Sequence, residues 1–460
     1  MRTIIKIALL SALALSDAAQ CDETAEEITF SGDLFSRTKL SGDWGSVRND
    51  MAEHGVTLDL DATHVTQHVA SGGYDGSLLS KFPGNRISQS LPGISETESD
   101  AMFNMLLNVD TGKAGLWPGG FLTVRGEGRV GDSLGIRSGS LMPTNGDALS
   151  PDVPGHSNQD VLALTELTYA QFLSKQFGVA FGLINTADGD KNEFAGSLRS
   201  RSHFMNVGMR LSPTIGAAVP LLSTLGAMAI FVPTKNIIGK AGFINAEETA
   251  GYNPFERDKG TTFLTEWQVS HTIAGLPGKQ TAGFVYGFDR KKIDFGTDPR
   301  LHLASLLRTG EAVKTNADTW TLFYNAHQYI QGDSKGGWGP FVRAGVSDGH
   351  PNPIKWNVAF GLGGVGVGSW RPDDNWGLGA YALGASNEAM INRLGIHDET
   401  GFEAFYNAAF TPWLHVTADV QYINSALTGA NLFGVGPLPA VNLPGPKDAW
   451  VVGVRTNLNF

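Results

Sequence analysis

The stretch 400–460 constrains this chain more than any other. It closes on Ala449-Trp-Val-Val-Gly-Val-Arg-Thr-Asn-Leu-Asn-Phe460. Side chains alternate along a strand with period two. Trp450, Val452, Val454, Thr456, Leu458 and Phe460 therefore share one face, and Val451, Gly453, Arg455, Asn457 and Asn459 share the other. One face is apolar with an aromatic at each end, and its reverse is polar. A strand with lipid on one side and water on the other needs that pattern. The hairpin before it repeats the pattern. Phe402, Ala404, Tyr406, Ala408 and Phe410 oppose Glu403, Asn407 and Thr411 across a Pro412-Trp413 turn; Leu414, Val416, Ala418, Val420 and Tyr422 oppose His415, Thr417, Asp419 and Gln421.

Further strands are expected at 56–68, 101–111, 120–131, 162–175, 177–184, 203–211, 225–234, 261–273, 280–291, 318–330, 338–347, 356–369 and 376–386. With the three terminal strands the total is about sixteen, an even number as bacterial barrels require. The connections alternate. Those after even strands are short, as at 175–176, 274–279 and 371–375. Those after odd strands are mostly long: 69–100, 132–161, 185–202, 235–260, 292–317 and 424–448. Short turns on one side and long loops on the other mark a membrane barrel with both termini on the periplasmic side. A propeller or sandwich gives no reason for that asymmetry, and no repeat of fixed period is present.

Composition agrees. After the N-terminus no apolar run approaches the roughly 20 residues of a membrane helix; 219–232 comes nearest and is interrupted by Pro220 and Ser223-Thr224. A net charge of −11 without a basic cluster argues against nucleic acid. Residues 1–18 have the form of a signal peptide: Arg2 and Lys6 flank a short apolar run, and cleavage is expected after Ala18. A lone Cys21 permits no internal disulfide, and Gln20 before it argues against lipidation. Residues 19–55 are expected as a periplasmic segment with a short helix over 47–54, stopped by Gly55, at the lumen mouth or on the rim. The barrel then takes 56–460. The fold expected is all-β: a transmembrane antiparallel β-barrel of about sixteen strands with a short N-terminal helix.

A diffusion channel needs a wet lumen and side chains that replace lost hydration, not a catalytic group. Thr123, Arg125, Glu127 and Arg129 share a face. On lipid, each arginine would cost on the order of 2–4 kcal/mol at mid-bilayer, so this face is assigned to the lumen. The same parity yields the substrate-path candidates Arg125, Glu127, Arg129, Glu166, Arg210, Glu266, Arg343, Glu403, Asp419 and Arg455, with Asp59, Asp61, Asn104, Asn108, Asn206, Gln268, Asn407, Gln421 and Asn457 beside them. Mixed acids, arginines and amides suit sugar hydroxyls better than a single ion. Tyr74, Phe82, Phe194 and Phe243 are candidates for an aromatic track on which sugar rings stack. The competing role for each lumen charge is a structural ion pair.

Other motifs carry less. His64-Val-Thr-Gln-His68 places two histidines on one strand face without a third metal ligand. Asp188-Gly-Asp-Lys-Asn-Glu193 lacks the glycine and glutamate of a calcium loop. Gly361-Leu-Gly-Gly-Val-Gly-Val-Gly368 has no helix after it, so its glycines are read as relieving crowding. No nucleophile elbow is present.

Four blocks carry a family resemblance: the opening Leu40-Ser-Gly-Asp-Trp-Gly-Ser-Val-Arg-Asn-Asp-Met-Ala-Glu-His-Gly-Val56; Leu164-Thr-Glu-Leu-Thr-Tyr-Ala-Gln171 leading to Gly182; Trp370-Arg-Pro-Asp-Asp-Asn-Trp-Gly377; and 402–423 with the close at 455–460. The chain resembles the OprB family of carbohydrate-selective porins over about 40–460. It departs mildly at Ser46 and Val47, where a second Gly and a Leu are usual, and at Thr168 and Ala170, where bulkier or charged residues are usual. The resemblance implies an outer-membrane barrel of sixteen strands that lets carbohydrates diffuse inward with no cofactor. Implied partners are sugars, outer-membrane lipid, and the barrel-assembly machinery reading the strand that ends at Phe460, with monomer and trimer both open. A general or anion-leaning porin, an outer-membrane enzyme and a loop-plugged structural barrel are the alternatives.

Overall fold

The computed structural model describes residues 30–74, 95–149, 161–250, 255, 260–433 and 440–460. Segment 1–18, Cys21 and Phe82 lie outside them. Sixteen long strands form one sheet: β1 Val56–Gly73, β2 Thr97–Asp110, β3 Gly120–Gly131, β4 Val161–Phe172, β5 Phe177–Asn185, β6 Ser223–Thr234, β7 Ile237–Asn245, β8 Thr261–Ile273, β9 Leu276–Ile293, β10 Lys314–Gln328, β11 Gly336–Ser347, β12 Ile354–Val365, β13 Asn375–Ala385, β14 Glu399–Thr411, β15 Leu414–Asn424 and β16 Lys447–Asn459. A three-residue piece, Gln331–Asp333, pairs with the start of β11. Each strand is antiparallel to its neighbours, and β1 pairs with both β2 and β16. The sheet is therefore a closed barrel with no free edge.

Two strand assignments from the sequence are corrected. Residues 203–211 are no strand; they belong to the β5–β6 connection and carry the one-turn helix α2, Val207–Arg210, after the seven-residue helix α1, Val47–Glu53. Conversely, β7 was read as loop. The turn that creates it, Lys235-Asn236, is only two residues long, with Thr234 paired to Ile237. The two errors cancel, so the count of sixteen stands. The remaining helices, α3 Pro299–Thr309 and α4 Ala389–Arg393, lie in long connections.

Parity holds along the wall. On β1, Thr63, Val65, Gln67 and Val69 are buried inside, while on β16 Trp450, Val452 and Val454 are exposed outside. The interior is filled by connections. Residues 186–222, between β5 and β6, pack Phe204 against Phe341 of β11 and Phe405 of β14, with ring centroids 5.6 and 4.7 Å apart. Phe194 stacks edge-on against Tyr329, 4.8 Å away. Glycines make the room. A Cβ on Gly363 of β12 would sit 2.6 Å from the Cβ of Phe194, and one on Gly379 of β13 would collide with the Met209 methyl. The glycine-rich stretch thus forms sockets for the inserted connection.

At the end with the short turns, residues 30–55 lie against the rim. Arg48 is sandwiched between the Phe30 and Trp44 rings, 4.5 and 4.8 Å from their centroids, and donates to the Leu58 carbonyl at 2.6 Å. Leu40 N–H donates to Asn459 O at 2.7 Å, and the Trp413 indole donates to Leu34 O at 2.7 Å. The Phe460 N–H donates to Leu60 O at 2.8 Å, which joins the last residue to the first strand.

Candidate functional site

The lumen is the site, and its charges come from both the wall and the inserted connections. Arg125 on β3 donates through Nε to Glu166 of β4, through Nη1 to Asn104 of β2, and through Nη2 to Asp188 of the inserted connection, each at 3.3 Å. Glu127, one pleat along, pairs with Arg199 and accepts from Thr165 Oγ1 at 2.5 Å. Thr165 and Glu166 are consecutive, yet both are buried inside. A register slip opposite Arg125 and Gly126 allows this, since a bulge turns neighbouring side chains to one face. Asn104 then passes the chain of polar contacts to Asp61 of β1 at 2.6 Å.

Two residues beyond Asp188, Asp190 accepts from Arg343 Nη1 of β11 at 2.6 Å and from the Ser212 N–H at 2.8 Å. Its own N–H donates to Glu266 of β8 at 3.2 Å, and Glu266 pairs with Lys240 of β7 at 3.3 Å. Strands β3 and β11 face each other across the ring of sixteen. The tripeptide Asp188-Gly-Asp190 therefore spans the lumen, with one arginine of each wall attached to each end.

A second knot forms around Asp147, in the β3–β4 connection. Its carboxylate takes Arg210 of α2 and Arg455 of β16, each at 3.0 Å, and also Arg201. Burial opposes its charge, but Arg210, Arg201 and Arg455 hold the carboxyl below the ordinary range. Burial pulls Arg210 down to about 10, against the pull of Asp147. Arg455 Nη2 also donates to the His203 carbonyl at 2.7 Å. Nearby, Glu403 of β14 accepts from the N–H groups of Met205 and Asn206, and Asp419 of β15 accepts from Gln421 at 2.8 Å. Arg129 donates to the Ala148 carbonyl.

All ten candidate residues point into the barrel and are buried there. Nine stand on strands; Arg210 stands on α2, so parity assigned it the right side from the wrong element. Most are engaged in holding inserted backbone. Asp61, Arg125, Asp188, Arg201 and Glu266 are less fully enclosed than Arg210, Arg343 or Arg455, whose side chains are 0% exposed. Parity missed Asp147, Asp188, Asp190, Arg199 and Arg201, because connections have no period. Their signal was charge: 188–201 is unusually rich in both signs.

No aromatic track forms among the described residues. Phe194 is buried within the inserted connection against Tyr329, Phe243 is on the outward face of β7, Tyr74 follows the end of β1 and donates its N–H to the Arg137 carbonyl at 2.9 Å, and Phe82 lies outside the described residues. Asp188 and Asp190 bind arginines, Asp190 also accepts from the Ser212 N–H, and Glu193 accepts from the Tyr329 hydroxyl at 3.2 Å. Among the described residues no cluster of three or more metal-ligating side chains is present.

A family model described as carbohydrate-selective porin, OprB family, matches residues 98–460. Among solved structures, the high-pH structure of Pseudomonas putida OprB superposes with a TM-score of 0.71 at 19% identity, covering 93% of this chain and 100% of that one. The low-pH structure of the same protein gives a TM-score of 0.54 at 16% identity, covering 93% and 99%. No curated protein sequence matches the chain.

Proposed function

We infer the function from a premise and a geometry: this chain belongs to the OprB family of carbohydrate-selective porins, and its lumen is crossed by paired charges of both signs. It is a porin of the bacterial outer membrane through which carbohydrates diffuse down their gradient. No step requires ATP, a cofactor or a catalytic group. Residues 1–18 direct export, and the strand ending at Phe460 is the segment the assembly machinery reads.

The constriction lies where Asp188-Gly-Asp190 crosses the barrel. The solute passes beside this strut, along the side chains of Asp61, Asn104, Arg125, Asp188 and Arg201. Paired charges leave no single-sign ring to select an ion. They do leave fixed donors (guanidinium N–H) and fixed acceptors (carboxylate oxygen) along one path. A sugar hydroxyl both donates and accepts, so it exchanges water for these groups with little loss. The observation that carries this reading is the Arg125 guanidinium, held in place in the lumen by Glu166, Asn104 and Asp188.

The test is swelling of proteoliposomes in isotonic glucose, a disaccharide, and a charged solute of similar size. Fast swelling in sugar and slower swelling in the charged solute is expected, with the preference reduced in Arg125→Ala. Equal rates for all solutes make it a general porin. No swelling from a folded barrel overturns the channel.

A further inference from the structure

We propose that the outer wall at β5–β8 binds one anionic phospholipid of the periplasmic leaflet, with an acyl chain in a groove on the wall and the phosphate on Lys175 and Lys235. Register sets the groove. Val179, Ala229, Ala241 and Thr265 are paired in turn across β5, β6, β7 and β8, and all four point outward. This row is low. The next row toward the short turns is high, because Phe231 and Trp267 stack with centroids 6.0 Å apart and planes 14° from parallel. Gly239 between them permits the stack, since a Cβ there would lie 2.5 Å from the Trp267 ring. On the other side Phe181 and Phe243 flank Ala227, each about half exposed, and Phe243 packs against Phe263 at 5.3 Å. The groove, about 450 Å³, has Ala227, Ala229 and Ala241 as its floor and the three phenylalanines 181, 243 and 263 as its banks.

Its chemistry selects a hydrocarbon chain. The hydroxyl of Thr265 is already satisfied: it donates to the Lys240 carbonyl at 2.9 Å and accepts from the Trp267 indole at 3.0 Å. The low row therefore presents no unmet hydrogen-bonding group, as contact with hydrocarbon requires. The floor spans β6 and β7, strands about 5 Å apart, which is the width of one extended hydrocarbon chain.

Charge selects the head group. Lys175 in the β4–β5 turn and Lys235 in the β6–β7 turn are exposed at the end with the short turns, and neither makes an ion pair among the described residues. Segments 167–187, 223–246 and 267–288 contain no Asp or Glu, so no acid of this stretch of rim offsets them. Elsewhere the short turns carry Asp333, Asp373 and Asp374. Lys175 is four residues from Val179 and Lys235 six from Ala229, roughly 13–20 Å along a strand. That is the reach from a phosphate to the middle of its acyl chain. Phosphatidylcholine carries the same phosphate but adds a trimethylammonium, so two uncompensated ammonium groups favour a lipid of net negative charge.

The test is native mass spectrometry of the full barrel folded in detergent and offered equal amounts of palmitoyl-oleoyl phosphatidylglycerol and palmitoyl-oleoyl phosphatidylcholine. One retained phosphatidylglycerol is expected, favoured at least five-fold over phosphatidylcholine. Lys175→Gln combined with Lys235→Gln should bring that ratio to about one. Ala229→Phe fills the groove with a side chain that a lipid-facing wall tolerates, and should lower retention of both lipids at least five-fold. Ala241→Phe fills it from β7 and should do the same. The site is overturned by any of four results: equal retention of the two lipids by the unsubstituted chain, a five-fold preference that survives loss of both lysines, retention that survives both phenylalanine variants, or a groove occupied instead by lipopolysaccharide or a second copy of the chain.

Discussion

Two connections that enter this barrel are held there by different physics. The β3–β4 connection docks largely through polar contacts, beside the buried Leu134 and Leu149. Asp147 gathers three arginines; Asn145 donates to Asp100 at 2.9 Å; the Thr144 carbonyl accepts from Gln67 and Gln421, each at 2.9 Å; and the Leu141 N–H donates to Glu399 at 2.6 Å. The β5–β6 connection has charges too, but it also carries a core. Val207, Leu211, Ile215 and Val219 pack with Ile184, Met228, Leu264 and Phe323 on one side, and Phe194, Phe204 and Met209 with Phe341 and Phe405 on the other. Apolar packing supplies adhesion without direction, while charged hydrogen bonds supply direction at a desolvation cost. One connection is thus mainly positioned, with few apolar anchors, and the other is both positioned and glued.

The sharpest way to break that contrast is Asp147→Ala. It removes the carboxylate that Arg201, Arg210 and Arg455 share, and loss of one partner from a buried ion pair costs about 3–5 kcal/mol. We expect the β3–β4 connection to leave the lumen, single-channel conductance to rise, and protease to cut near 140–149. The β5–β6 connection should stay in place. If both leave together, the two are one cooperative unit and the contrast fails.

Gly379→Val tests the glued partner from the wall side. Overpacking a filled socket costs about 2 kcal/mol, here by displacing Met209. Noisier current with the Asp147 cluster intact is expected.

Acid should separate the two further. Burial drives the His203 imidazole down to about 4, with Arg455 and Arg210 acting in the same direction against a hydrogen bond to the Glu193 carbonyl. The folded form holds fewer protons than the unfolded one, so stability is full above about pH 6.5, the free imidazole value, and declines as pH falls toward 4. Asp147 is depressed, so its contribution is lost only below the ordinary carboxylate range. Between pH 6.5 and 5 the docking of the β5–β6 connection should therefore weaken first, as read from current noise, and His203→Asn should remove that dependence. The smallest effect is expected at the rim. Lys39→Ala breaks a partly exposed 2.7 Å pair with Asp59, worth at most about 0.5 kcal/mol, and thermal unfolding should shift little.

The barrel was legible because lipid imposes a rule on every strand, as Trp450 to Phe460 shows. The interior was less so. Segment 203–211 alternates like a strand because its apolar residues meet an apolar wall inside the lumen, a second core that periodicity cannot tell from lipid. β7 was hidden by Gly239 and Gly242, which dilute its pattern, and by a turn too short to notice. Arg125, Glu127 and Arg343 could be assigned to the lumen from parity alone. Their partners Asp188, Asp190 and Arg199 could not, since nothing local in a connection says which wall it will reach.

The strut at Asp188-Gly-Asp190 has a mechanical consequence. An unbraced cylinder of strands flattens easily, because ovalising it bends the sheet without breaking a ladder bond. A tie between opposite walls removes that soft mode. The bore at that level is then fixed by two ion pairs and a tripeptide, not by the circumference of the sheet, and lateral pressure on either flank of the barrel is borne by Arg125 and Arg343 together.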